Sequence, residues 1–132
     1  MSLAVVDASA MAAVVFKEAE GQAVVGRLKG AFLVAPRLMA YELTNVAWSK
    51  ILQRPDQRTF ITQALERVLA DDFAITWSDV EFEEVLTLAV QTKLTAYDAS
   101  YLWLAQHMKA ELVTLDRELE AAAAAASDKA AE

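Results

Sequence analysis

The chain alternates short, wholly apolar runs with longer segments in which apolar positions recur every three to four residues. Residues 3–6 form a β-branched apolar run that stops at Asp7, which predicts a buried strand. Residues 10–16 are apolar on every side, so the helix that Ser9 can cap, running to about Lys17, is expected deep in the core. A second helix is expected from about Glu18 to Lys29, with Val24, Val25 and Leu28 on one face and Gly30 at the left-handed C-terminal position. Residues 32–35 predict a second strand, and Pro36 suits the first position of a helix that runs to about Leu52. Pro55 opens another helix to about Ala70, with Phe60, Ile61, Ala64, Leu65 and Val68 on its apolar face.

Residues 73–77 predict a third strand. Ser78 can cap a helix to about Gln91, and Thr95 one from Ala96 to about Lys109. Residues 112–114 predict a short fourth strand, followed by a last helix from about Arg117. That helix gives way to polyalanine at 121–126 and to a polar tail at 127–132 with no reason to be ordered. Short apolar strands alternating with helices predict a single α/β domain over residues 1–126. Its short, mostly parallel central sheet is flanked by helices, giving three layers.

Composition narrows the chemistry. A chain of 132 residues that is 56% hydrophobic and 23% charged can bury a full core, which excludes a disordered or collagen-like protein. The longest unbroken apolar run, 10–16, falls short of the roughly 18 residues needed to cross a bilayer. No basic region precedes the first apolar segment, so the expectation is a cytoplasmic protein without a secretory signal. With no cysteine and only His107, the usual zinc and iron–sulfur sites are closed off, and any metal must sit on oxygen. Such sites suit Mg²⁺, Mn²⁺ or Ca²⁺. Twelve Lys and Arg against 19 Asp and Glu leave a net charge of −7, which argues against polyanion binding through a broad basic face. It does not exclude a nucleic-acid substrate, because a divalent ion held by carboxylates reverses the local sign.

Ligands of open parallel sheets bind beyond the carboxyl ends of the strands, and that rule selects four acids. Asp7 follows the first strand, Asp116 lies just past the fourth, Asp98 is in the first turn of a helix and Glu42 in the second turn after the second strand. Each can also be accounted for locally. Asp98 completes the capping pattern Thr95-Ala96-Tyr97-Asp98, Asp7 and Asp116 can cap helices, and Glu42 can be a solvated helix residue. Apolar neighbours of Glu42 and Asp98 point instead to partial burial, where a carboxylate needs a cation or a donor.

Other signals are weaker. Gly21 and Gly26 have phosphate-loop spacing, but Arg27-Leu28 stands where Lys and Ser or Thr are required. His107 sits near a helix C-terminus, which favours a histidine without catalysis. Trp48, Trp77 and Trp103 fit core or interface positions. The basic grouping of Arg37, Lys50, Arg54 and Arg58 brackets Glu42 and is either a solvated face or a phosphate contact.

Four segments together resemble a known family. Val5-Val6-Asp7-Ala8-Ser9, Tyr41-Glu42-Leu43-Thr44-Asn45, Leu94-Thr95-Ala96-Tyr97-Asp98-Ala99-Ser100-Tyr101 and Leu112-Val113-Thr114-Leu115-Asp116 look like the motifs of PIN domains, and among them VapC-type toxins of toxin–antitoxin pairs. The resemblance covers residues 3 to about 120 in the right order. It implies a ribonuclease dependent on one or two Mg²⁺ or Mn²⁺ ions, with Asp7, Glu42, Asp98 and Asp116 as the acidic, metal-binding cluster. Ser9, Thr114 and Asn45 are implied as supports, and Arg37, Lys50 and Arg54 as candidate RNA contacts. It further implies an RNA substrate, a homodimer and a small VapB-type antitoxin that blocks the groove. Polyalanine stands where such domains commonly place a further edge strand. Two other classes stay open: a catalytically silent interaction module of the same fold, and a receiver-like signalling domain, which would need an acid ending a central strand and a lysine after a late one.

Overall fold

The computed structural model describes residues 2–131. Strand β1 (Ser2–Val6) leads into α1 (Ala8–Val15) and α2 (Gly21–Leu28), then β2 (Ala31–Pro36) and α3 (Leu38–Gln53). A 3₁₀ turn at Pro55–Gln57 opens α4 (Arg58–Leu69). Next come β3 (Thr76–Ser78), α5 (Phe82–Thr92), α6 (Ala96–Met108), β4 (Glu111–Val113) and α7 (Arg117–Ala131). The strands lie in the order β3-β2-β1-β4, and every pairing among them is parallel. The expected α/β sandwich is therefore present, with a sheet that is wholly parallel among the described residues.

The order of the strands decides where a site forms. From β1 the chain builds outward through β2 to β3, then crosses back to lay β4 on the other side of β1. The direction of winding reverses between β1 and β4, so the loops leaving their carboxyl ends diverge and open a crevice. Asp7 and Asp116 leave the sheet at that switch point.

The core is assembled on β1 and α6. Val5 and Val6 are fully buried in the central strand, and every residue of α6 from Ala99 to Ala105 is buried, so α6 packs on nearly all sides. Helix α2 approaches α1 closely: a Cβ at Gly21 would fall 2.4 Å from the Ala13 carbonyl oxygen, so the glycine there serves packing and not phosphate binding. Gly30 takes the left-handed conformation (φ +79) that turns the chain into β2.

Several expected boundaries move for local reasons. Asp7, not Ser9, caps α1 by accepting from the Ala10 amide, because the helix begins earlier than expected. Pro36 ends β2 instead of starting α3, and it is paired in register with Ser78. The third strand is shorter than 73–77: Asp71 and Ala74 have positive φ and hold the approach in turns, and Ser78 lies in β3 instead of capping α5. Helix α2 starts at Gly21 and not Glu18, after a left-handed Lys17. Helix α7 runs on through Ser127 to Ala131, into the segment whose composition predicts a tail, and Glu132 lies outside the described residues. Among the described residues no helix is long and apolar enough to cross a membrane.

Candidate active site

Asp7 is the fixed point of the site. It is 4% exposed, at the end of the central strand, and three donors converge on it. Its Oδ1 accepts from the Ser9 hydroxyl at 2.7 Å and the Ala10 amide at 3.0 Å, and its Oδ2 accepts from the Thr114 hydroxyl at 2.5 Å. Those two hydroxyls are themselves oriented from the β4 side. Ser9 Oγ accepts from the Leu115 amide at 3.0 Å and Thr114 Oγ1 from the Asp116 amide at 2.9 Å, which leaves each hydroxyl proton for Asp7. The ends of β1 and β4 are thus stitched together through Asp7. A carboxylate oxygen has about two lone-pair directions, so Oδ1 is full and only Oδ2 keeps one open.

The other acids reach the same place from three further elements. Asp7, Glu42, Asp98 and Asp116 all line a cleft of about 600 Å³, with Ser9 and Asn45 also in its wall. Asp116 caps α7, its Oδ1 accepting from the Leu119 amide at 3.0 Å, so its cap role and its place in the cleft coexist. Asp98 makes only half of the capping pattern: Thr95 Oγ1 accepts from the Asp98 amide, and among the described residues the Asp98 carboxylate makes no return bond. Its side chain is left to the cleft.

Glu42 has a partner for which no sequence pattern assigned a role. Tyr101, 1% exposed, donates its hydroxyl to Glu42 Oε1 at 2.5 Å and pins that carboxylate through one oxygen. The available signal was its spacing, since a residue three after Asp98 on a helix shares its face. Burial and the Glu42 carboxylate hold the Tyr101 phenol far above its usual range, so it stays a donor.

Electrostatically the cleft is unbalanced. Burial pushes the Asp7 carboxyl up despite its three donors, and Asp116 adds to the rise. Glu42 is raised by burial and then by Asp98 and Asp7; Asp98 is raised by burial and then by Asp116, Asp7 and Glu118. Among the described residues no lysine or arginine lines the cleft to relieve that repulsion. Oxygen donors of one sign without a protein counter-charge suit a hard divalent cation. Among the described residues no group of three acids or histidines is already gathered around one ion position. The lining fits a divalent cation of that kind.

The remaining candidates do not gather there. Arg37 pairs with Asp79 at 3.0 Å, Lys50 with Glu18 at 3.2 Å and Arg54 with Asp56 at 3.2 Å, and none of the three lines the cleft. His107 lies in the last turn of α6, stacked on Trp103 at 4.6 Å between ring centroids, away from the acids. Trp103 donates to Glu84, whereas Trp48 is 59% exposed on α3. With β3 ending at Ser78, Asp79 does follow a strand, but an edge strand, and its carboxylate is taken by Arg37 on the surface. A receiver-like phosphorylation site finds no support there.

Comparison with known proteins places this geometry. The PIN domain family pattern matches residues 4–125. The chain is 38% identical over 92 residues to a protein named Exonuclease VapC9 from Pyrobaculum aerophilum, covering 69% of this chain and 67% of that protein. It is 33% identical over 119 residues to Ribonuclease VapC3 from the same organism, covering 87% of this chain and 90% of that protein. The crystal structure of PAE2754 from Pyrobaculum aerophilum superposes with a TM-score of 0.74 at 30% identity, covering 92% of this chain and 79% of that one. A carboxylate crevice at the β1/β4 switch point, a pattern matched over nearly the whole described chain and two VapC relatives agree, and the chain belongs to the PIN domain family, of the VapC type.

Proposed function

We propose that this protein is a metal-dependent endoribonuclease and the toxin of a toxin–antitoxin pair. The observation that carries the proposal is the convergence of four carboxylates, from four separate elements, in a cleft that no lysine or arginine lines among the described residues. Family membership and relatives named ribonuclease and exonuclease support a nuclease that hydrolyses phosphodiesters.

One or two Mg²⁺ or Mn²⁺ ions, when bound, supply activation of the attacking water and stabilise charge on the phosphoryl and leaving oxygens. The chain's own residues supply position. Asp7 offers Oδ2, the one oxygen with an open lone pair, and Ser9 and Thr114 keep it from turning. Asp116, held through Oδ1 by its cap bond, presents its other oxygen. Glu42, held by Tyr101, offers Oε2 to an ion or to the attacking water, and Asp98 is the acid free to adjust. Asp7, Glu42 and Asp116, oriented in this way, are the residues that would hold an ion in the cleft.

One relative is named an exonuclease and the other only a ribonuclease, so the deciding experiment uses a circular single-stranded RNA, which has no end to enter. Linearisation of the circle in Mg²⁺ or Mn²⁺ and its suppression by chelator are the expected results. Degradation of linear RNA only from a terminus would replace the endonuclease by an exonuclease, and no cleavage of either, with no ion bound, would favour the silent interaction module.

The VapC type also carries the proposal of a small antitoxin that covers the cleft and of a homodimer. Phe82, Leu86 and Val90, 81%, 61% and 72% exposed, form an apolar stripe along α5 that supports contact with a second copy. A monomer mass in sedimentation at micromolar concentration would remove that support.

A further inference from the structure

The two helices that send an acid into the cleft carry the same dipeptide pattern, Tyr41-Glu42 on α3 and Tyr97-Asp98 on α6. Successive helical residues are about 100° apart, so each tyrosine stands a quarter turn from its acid. The acids are half-buried toward the floor, while Tyr41 is 78% and Tyr97 64% exposed, and all four side chains line the same cleft. Two exposed phenol rings therefore flank the carboxylates from different helices. They take no part in the core, in contrast to Tyr101, which is 1% exposed.

The electrostatics give those rings a task. A protein of net charge −7, with no lysine or arginine in the cleft wall among the described residues, has little means of attracting phosphates there beyond a bound ion. The basic residues that bracket Glu42 in sequence pair elsewhere, Arg37 with Asp79, Lys50 with Glu18 and Arg54 with Asp56. The contact that the cleft wall itself offers a substrate, apart from its acids, is therefore uncharged. Aromatic faces supply it to nucleic acids whose bases are unstacked, and without sequence preference, because every base has a π-face.

We propose that Tyr41 and Tyr97 form a stacking pair at the mouth of the cleft that holds the bases on either side of the reacting phosphate. The protein would then select single-stranded RNA by ring contact more than by phosphate charge. This rests on the nuclease reading above and names the form of its substrate. In a duplex the bases are stacked on one another and have no free faces to offer, so discrimination against double strands follows from the same two side chains.

The test is fluorescence anisotropy of a labelled single-stranded oligoribonucleotide, and of the same sequence as a duplex, in Mg²⁺ with Asp98→Asn as the background. Tyr41→Ala and Tyr97→Ala are each expected to weaken single-strand binding about tenfold, and Tyr41→Phe and Tyr97→Phe, which keep the ring, by no more than about twofold. The dependence of log affinity on log salt is expected to be no steeper than about −1.5, the slope for roughly two neutralised phosphates on a single strand. Unchanged binding in both alanine variants, phenylalanine variants as weak as the alanine ones, or a steep salt slope would each overturn the proposal. So would alanine variants that keep RNA affinity but lose a copurifying protein, which would assign the rim to a protein partner. Cleavage of the probe in the Asp98→Asn background would count against that acid's role alone, with initial anisotropy still reporting on the tyrosines. Failure of the parent background and of wild-type protein to bind any RNA would overturn both readings together.

Discussion

Asp98→Asn is expected to lower RNA cleavage by more than about a hundredfold, with a melting temperature equal to or above that of the parent. Outer-shell partners of metal ligands typically cost about 10- to 100-fold when replaced, and a direct ligand costs more. The stability half of the prediction follows from what Asp98 does in the fold. Its backbone amide, not its carboxylate, makes the cap bond to Thr95, and that bond survives in asparagine. What the substitution removes is a charge raised by burial and by Asp116, Asp7 and Glu118. Activity and stability therefore move in opposite directions, as at sites where function holds like charges together. Asp7→Asn should behave differently. It also abolishes cleavage, but an amide nitrogen facing the Ser9 and Ala10 donors or the Thr114 donor loses buried hydrogen bonds, so stability falls as well. Tyr101→Phe is expected between these limits, with cleavage reduced about 10- to 100-fold, since Glu42 stays but is no longer held. Turnover of an RNA substrate and thermal denaturation on the same preparations check all three. An Asp98→Asn protein that cleaves like the parent would remove that residue from the site.

The contrast between Asp98 and Asp7 also bears on what the sequence could disclose. Strands β1 and β2 were legible because a central parallel strand is apolar on both faces, and a short run of that kind between turn residues forms little else; β4, at the sheet edge, was legible only from the apolar pair Leu112-Val113 in it. The placement of four acids beyond strand ends was legible for the same reason. Boundaries were less so, because β3 is an edge strand of three residues whose approach is set by left-handed Asp71 and Ala74, and neither residue type announces that conformation. Ser9 and Ser78 look like caps in sequence, yet one is spent on Asp7 and the other on pairing with Pro36. The Glu42–Tyr101 bond joins residues 59 apart, and the pairing of Arg37 with Asp79 joins residues 42 apart. Such contacts depend on how α3, α5 and α6 pack on the sheet, which no local pattern encodes.

Burial of the cleft acids, and after it their mutual repulsion, predicts how stability responds to pH and to metal. Asp7, Glu42 and Asp98 are held above their ordinary values of 3.8, 4.5 and 3.8 in the folded protein. In the unfolded chain they return to those values, so across the window between, the folded state binds more protons than the unfolded one. Stability contributed by these groups is full below the ordinary values and is lost as pH rises through the raised ones. A divalent cation bound in the cleft, as proposed, would act against that loss: it would bind deprotonated carboxylates of the folded state, and its stabilisation would grow with the fraction of those groups that are charged. In chelator, the parent is therefore expected to lose melting temperature relative to Asp98→Asn and Glu42→Gln as the pH is raised from about 5 to about 7.5. In saturating Mg²⁺ or Mn²⁺ that deficit is expected to close, and the gain on adding metal should be larger at the upper pH. Comparison with the two variants isolates the cleft from the other carboxylates, because those titrate alike in all three proteins. A metal-induced gain that is independent of pH, or equal in parent and variants, would mean that the ion binds elsewhere. A parent that gains stability relative to both variants as pH rises in chelator would mean that the acids are already neutralised by partners of their own, and the cleft would lose its claim to a cation.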